Sequence, residues 1–167
     1  NNLTIILMGD LLYGRTVHSL LHLLLLEKNN SIILVSPRNL SLPEKYKKEL
    51  QEKNVFFEEH ETLPEDLKDI DVLYITRVQK ERFASIQEYE KVKDCCIVDA
   101  DVMARLPEDA ILMHPLPRVN EITPDVDNDP RAAYFRQANN GLFVRMALLE
   151  LLFERKTLEQ KTLKQLK

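Results

Sequence analysis

Apolar runs and helical spacings alternate along this chain. Leu3–Met8 is a continuous Ile/Leu-rich run ending in Gly9-Asp10, and Thr16–Leu26 then carries apolar residues at helical intervals. Ser31–Ser36 is a second β-rich run. It is followed by Ser41-Leu42-Pro43-Glu44, a capping-box pattern with proline in the first turn, which opens a charged helix to Lys53. Val55–Phe57 predicts a short third strand, Thr62–Glu65 another capping box before a brief helix, and Val72–Ile75 a fourth strand. Ser85–Glu88 caps a helix through Lys91. Cys96–Val98 and Ile111–Met113 are the last predicted strands, separated by a helical stretch around Val102–Leu106 and a break at Pro107. The tail reads as helix from Gly141 to about Arg155, and the polar Lys156–Lys167 as a frayed or docking helix.

Strands alternating with helices at this spacing predict a parallel sheet covered on both faces, because parallel neighbours need a crossover longer than a hairpin. The 167 residues suit one folding unit, 1–167, and 44% hydrophobic against 30% charged residues is enough apolar material for a core. Lys and Arg number 23 against 27 Asp and Glu, a net charge of −4, with no basic run of the kind nucleic-acid binding requires. The longest apolar stretch, Leu23–Leu26, is far short of the roughly 20 residues of a membrane span. A cytoplasmic protein without nucleic-acid or membrane partners is expected. Cys95 and Cys96 stand in a predicted strand, where alternation would point them to opposite faces as a buried reduced thiol beside a half-exposed one.

In open parallel sheets ligands bind beyond the carboxyl ends of the strands. Three segments with unusual chemistry follow predicted strands directly: Gly9-Asp10-Leu11-Leu12-Tyr13-Gly14-Arg15-Thr16, Thr76-Arg77-Val78-Gln79-Lys80-Glu81-Arg82, and His114-Pro115-Leu116-Pro117-Arg118-Val119. Parallel strands would gather Arg15, Arg77, Lys80, Arg82 and Arg118 at one edge of an acidic protein, a pocket for a small anion. Guanidinium groups at Arg15 and Arg77 can each grip a carboxylate through two parallel hydrogen bonds, so together they could hold a dicarboxylate. Gln79, two residues from Arg77, would share its direction in an extended segment and add an orienting amide. The prolines around Leu116 lack N–H donors and leave carbonyls as the polar groups on offer, which suits an amine or amide.

Structural roles compete with these. Glu81 and Asp10 stand close enough in sequence to pair with the arginines. His18 and His22 lie four apart on one helix face without the intervening acid of an H-E-x-x-H pattern, and packing is the expected role. His60 falls in an acidic loop stretch, and His114 reads as a strand-end residue satisfied by backbone rather than as a general base. Dinucleotide and P-loop glycine fingerprints and the G-x-S-x-G elbow are absent from the sequence.

Taken together, GDLLYGRTVHSL, TRVQKERF, HPLPRVNEI and DPRAAYFRQANNGLFVRMALL resemble the aspartate-binding half of aspartate carbamoyltransferases across nearly the whole chain, and the DPRAAYFRQ stretch is most similar to the form built into multifunctional pyrimidine-synthesis proteins of animals. Ornithine carbamoyltransferases carry a cysteine within the HPLPR segment and lack TRVQKER, so Leu116 and Arg77 favour aspartate. The expected fold is a three-layer, mostly parallel, Rossmann-like α/β sheet with helices on both faces.

The resemblance implies that Arg15 and Arg77 hold the carboxylates of L-aspartate and that Gln79 orients the amino acid. It implies that Pro115 and Leu116 carbonyls touch the amine and carbamoyl group, and that Leu116 and Pro117 border carbamoyl phosphate. Arg82 would brace a mobile closure loop containing Glu88 and Tyr89. It further implies no metal or organic cofactor, a homotrimer in the complete protein, and carbamoyl transfer in pyrimidine biosynthesis. Leu12 stands where the family has lysine, which bears on closed-state ion pairing, and Asn139 where it has glycine or glutamate. The family's amino-terminal carbamoyl phosphate domain does not appear in this chain, which begins at Asn1 as an excised domain would; alone it is expected to bind aspartate weakly without turnover. The alternative is a stand-alone amino-acid-binding or regulatory module that lost catalysis.

Overall fold

The computed structural model describes the backbone of residues 2–165 and the side chains of residues 2–155. Within them the chain forms two compact units, Asn1–Tyr134 and Phe135–Lys167. The first is a five-stranded sheet built from β1 (Thr4–Met8), β2 (Ser31–Val35), β3 (Phe56–His60), β4 (Val72–Ile75) and β5 (Ile111–Met113), in spatial order β3-β2-β1-β4-β5. Every pairing is parallel. Helices α1 (Arg15–Leu24) and α2 (Glu44–Glu52) cross between the first three strands, and α3 (Ile86–Glu90) and α4 (Ala100–Arg105) lie between β4 and β5.

Alternation along the strands sends side chains to two cores. Ile5, Leu7, Ile32, Leu34 and Tyr74 pack with Val17 and Leu21 of α1 and Leu50 of α2. Ile6, Met8, Leu73, Ile75 and Leu112 pack on the other face with Val102 and Met103 of α4. Both faces are therefore covered, which is why the central strand β1 carries the unbroken apolar run Ile5–Met8. The strand order reverses at β1, whose neighbour on one side is β2 and on the other β4, and a crevice opens there beyond the strands' carboxyl ends.

Several local expectations are corrected. Thr62–Glu65 opens no helix: the Asp66 carboxylate takes the Lys68 amide at 3.2 Å, a local turn that competes with the helical ladder, and the segment descends to bury Leu67 and Ile70. Cys96–Val98 is not a strand; Val98 makes one isolated bridge to Ile122, and the cysteines lie in a turn. Strand β3 starts one residue later than expected and runs on to His60, so this histidine ends a strand rather than occupying a loop. Ser41 gives α2 no side-chain cap, whereas Ser85 does cap α3 by accepting the Glu88 amide at 3.3 Å.

The second unit is helical. Helix α5 (Tyr134–Gln165) begins ahead of the expected Gly141, passing through Asn139, Asn140 and Gly141 as regular helix. Glycine's helical penalty of about 1 kcal/mol is too small to set the boundary there. The expectation for the side chains of Lys156–Lys167 lies outside the described residues.

Candidate functional site

The loop after β1 is set by glycine. Gly9 has φ of +112°, and a Cβ there would sit 2.2 Å from the Thr76 carbonyl oxygen, so the β1 and β4 exits touch through bare backbone. Gly14 serves the same end, since a Cβ would stand 2.3 Å from the Asp10 carbonyl oxygen. Asp10 lies beneath this loop, fully buried. One carboxylate oxygen accepts the Tyr13 amide at 2.8 Å, and the other has no hydrogen-bond partner among the described residues. Burial pushes the Asp10 carboxyl above its ordinary range, against the opposing pull of the Tyr13, Gln79 and Leu12 amides. It therefore pairs with no arginine; it faces amides from both the β1 and β4 loops.

A cleft of about 190 Å3 at the crevice is lined by Gly14, Arg15, Thr16, Thr76, Arg77 and Gln79, together with His114, Pro115, Leu116 and Pro117. All three strand-end segments singled out above thus contribute to one cleft. Arg15 is the first residue of α1, whose amino-terminal turn carries no acidic residue and no side-chain cap. Unpaired amides and the helix dipole favour an anion there. Among the described residues the Arg15 guanidinium makes no ion pair. Arg77 donates to Glu81 at 2.8 Å, so its carboxylate partner is already local and solvent-facing.

Arg82 donates through Nε to the Gln79 carbonyl oxygen at 3.2 Å. Guanidinium is donor-only, so this contact fixes which end of the amide Gln79 has left to offer: its N–H groups. Arg82 itself lines a separate groove of about 610 Å3 with Tyr13, Phe83, Glu88 and Lys91. Glu88 and Arg82 therefore stand beside the cleft rather than in it, and Tyr89 packs edge-on against Phe83 with ring centroids 5.8 Å apart.

On the third segment, the Leu116 amide donates to His114 Nδ1 at 2.8 Å. That nitrogen must be the acceptor, so the proton sits on Nε2, which donates to the Glu121 carboxylate at 2.8 Å. With both nitrogens engaged in burial, His114 has no vacant base. Glu121 also accepts the Val119 and Asn120 amides. Burial alone would raise its carboxyl, yet these donors hold it below the ordinary carboxylate value. The result is a turn whose amide donors are spent: Pro115 and Pro117 have none, and that of Leu116 is consumed by His114. Leu116 adopts φ of +52°, a left-handed conformation that costs a branched residue energy and is held by the packing of its side chain on the core.

Arg118 is the main departure from the expected cationic pocket. It forks onto both oxygens of Asp127 and meets the hydroxyl of buried Tyr134 at 3.2 Å, bracing the loop before α5. Desolvation and the Asp127 carboxylate push the Tyr134 phenol up to about 12. Lys80 does not line the cleft either, leaving Arg15 and Arg77 as its cations. His18 stacks on Tyr46 with centroids 4.3 Å apart and bonds the Leu11 carbonyl, a packing role; His22 pairs with Glu49 at 3.1 Å. Sequence reading missed Glu121 and Asp127. The signal for the former was an acid set between Val119 and Ile122 in an otherwise apolar-flanked turn.

The residues of this cleft lie within a segment, 1–152, that matches the model of the aspartate/ornithine carbamoyltransferase Asp/Orn binding domain. The chain belongs to this family. It is 54% identical over 153 residues to the multifunctional protein pyr1-3 of Dictyostelium discoideum, covering 92% of this chain and 7% of that protein. The catalytic subunit of M. jannaschii aspartate transcarbamoylase superposes with a TM-score of 0.85 at 47% identity, covering 92% of this chain and 51% of that one. The aspartate transcarbamoylase of Trypanosoma cruzi, solved in complex with carbamoyl phosphate and aspartate, gives 0.79 at 43% identity over 89% of this chain and 50% of its own. The chain thus spans about half the length of the transcarbamoylases it resembles, and its doubly covered parallel sheet is the Asp/Orn binding fold of the family.

Proposed function

We propose that the cleft binds L-aspartate and supplies the nucleophile's side of carbamoyl transfer from carbamoyl phosphate, in pyrimidine biosynthesis in the cytoplasm. The observation that carries this reading is the meeting of Arg15 and Arg77, from separate strand-end loops, in one small cleft with the donor-depleted His114–Pro117 turn. Two guanidinium forks match two carboxylates. Gln79, its carbonyl held by Arg82, offers N–H to a carboxylate oxygen. The carbonyls of Pro115 and Leu116 accept N–H from the amine, keeping its lone pair directed at the carbamoyl carbon. The neutral amine attacks that carbon, a tetrahedral intermediate forms, and the C–O bond to phosphate breaks as phosphate leaves with the proton shed by the amine nitrogen, yielding carbamoyl aspartate. Most of the acceleration comes from orientation and from donors aimed at the developing oxyanion.

Donors for the phosphate and oxyanion would come from the remaining half of a transcarbamoylase, which in the complete protein also builds a homotrimer. The apolar surface of α5 supports such a partner: Leu142, Phe143, Val144, Met146, Leu148 and Leu149 are all more than half exposed, so apolar residues occupy consecutive directions around the helix. Arg82, Glu88 and Tyr89, beside the cleft, are the residues assigned to closure over both substrates. No helix among the described residues is long and apolar enough to cross a membrane.

Charge-assisted hydrogen bonds contribute about 1.5–3 kcal/mol each while association costs at least about 4, so this half alone should bind aspartate with a dissociation constant of about a millimolar or weaker. The test combines the chain with a separately produced carbamoyl phosphate-binding half of a relative and assays carbamoyl aspartate. Activity that needs both halves and disappears with Arg77→Ala supports the proposal. Aspartate binding with no activity in any combination would favour a binding or regulatory module instead.

A further inference from the structure

The turn that replaces the expected strand around Cys95 and Cys96 has a chemical consequence. Alternation would have separated the two thiols, but here Cys95 Sγ and Cys96 Sγ lie 3.3 Å apart, both reduced. Cys96 is buried in the core cluster on the α4 face of the sheet, while Cys95 is half-buried against that core. The Cys95 amide is tied to the Val92 carbonyl at 3.1 Å, which holds the turn. The two thiols are electrostatically unequal. Contact with the Cys96 thiol lowers the Cys95 thiol's pKa, favouring its thiolate, and the same contact with burial raises that of Cys96.

What such a pair can hold follows from its spacing. Adjacent residues across a trans peptide have Cα atoms about 3.8 Å apart, below the roughly 4.4–6.8 Å usual for a disulfide. Direct S–S closure therefore fits this turn poorly. Metal ions of the zinc type need further ligands. Among the described residues no group of three or more His, Cys, Asp or Glu side chains could hold a metal ion. What fits is a thiophilic centre that takes two protein sulfurs side by side and brings its third substituent with it.

We propose that Cys95 and Cys96, in the turn between α3 and α4, form a two-sulfur capture site for trivalent organoarsenic compounds. The Cys95 thiolate bonds arsenic first and Cys96 closes the chelate. With an aryl arsine oxide, the As–O bonds are replaced by two As–S bonds, the two thiol protons leave on the oxygen as one water, and arsenic remains trivalent throughout. No oxidant or reductant takes part.

Phenylarsine oxide added to the folded chain tests this by intact-mass spectrometry, thiol titration and thermal melting. The chain has only two cysteines, so the expected product is unambiguous. It is one phenylarsenic per monomer with both titratable thiols lost, stable to 2-mercaptoethanol, released by dithiothreitol, and melting at a higher temperature because the ligand binds the native sulfur pair. Cys95→Ser and Cys96→Ser should each give an adduct that a monothiol removes. One arsenic shared between two crosslinked chains, a wild-type adduct lost to 2-mercaptoethanol, or a melting temperature that falls on loading would overturn the proposal.

Discussion

Arg15, Arg77 and Arg118 all follow strands, but partners rather than position separate their roles. Arg118 stood in the same kind of segment as Arg15 and Arg77, yet the structure commits it to Asp127 and Tyr134, and sequence offered no way to see an acid nine residues on folding back. The two should separate experimentally. Arg118→Ala should destabilise the chain by about 1–3 kcal/mol, the cost of stranding charged and hydroxyl partners, and leave aspartate affinity unchanged; denaturant titration with calorimetry of binding checks both. Arg77→Lys should fold normally but lose most binding, because an ammonium cannot reproduce the two-point fork. Gly9→Ala has no relaxed alternative, with φ of +112° and the Thr76 carbonyl at 2.2 Å from the added carbon. A loss of at least about 2 kcal/mol in a urea melt is expected, from backbone strain and overpacking together.

Among the elements, β1, β2 and β4 were legible because an unbroken apolar run of four residues with β-branched members, bounded by polar positions, has few other uses, and the three-residue run of β5 stands where the alternation of strands and helices calls for another strand. The short helix at Thr62 and the strand at Cys96 failed for the opposite reason. A side-chain turn at Asp66 and the turn that buries Cys96 in the core outweighed their signals. In the His114–Glu121 turn, the prolines were visible but the histidine–carboxylate pair that spends the remaining amide was not.

The segment from His114 to Arg131 has a pH signature. Glu121, Asp127 and Asp129 all have folded-state values below their ordinary ones, through donors from His114, Arg118 and Arg131 respectively acting against desolvation. Their stabilisation is complete above the unfolded carboxylate range of about 4 and is lost as pH falls through the lower folded values. Glu121→Gln should flatten part of this acid transition. It should also cost about 1–3 kcal/mol at neutral pH, since an amide N–H would face the Val119 and Asn120 amides; urea melts between pH 2 and 7 would show both effects.

For the whole molecule, the fold is the frame that brings three distant segments together. Gly9–Thr16, Thr76–Arg82 and His114–Pro117 are separated by dozens of residues, and the reversal of strand order at β1 is what makes them neighbours. The resemblance to aspartate carbamoyltransferases was readable because the motifs fall in order at strand ends, and Glu81 was readable as an arginine partner from its nearness in sequence; the seclusion of Arg82 and Glu88 in a neighbouring groove was not. The exposed apolar residues of α5 give the isolated chain a tendency to associate. Sedimentation velocity should show concentration-dependent self-association that is suppressed when a truncation after Tyr134 removes the rest of α5 or when the other transcarbamoylase half is supplied.

The claim beneath all of this is that Arg15 and Arg77 clamp one dicarboxylic amino acid. Titration of the isotopically labelled chain with L-aspartate, followed by amide and arginine side-chain NMR shifts, addresses it most directly. Saturable shifts centred on Arg15, Arg77, Gln79 and Leu116, much weaker with L-asparagine and lost in Arg77→Ala, are the expected result. Shifts of equal size with asparagine, or a response confined to residues outside this cleft, would contradict it.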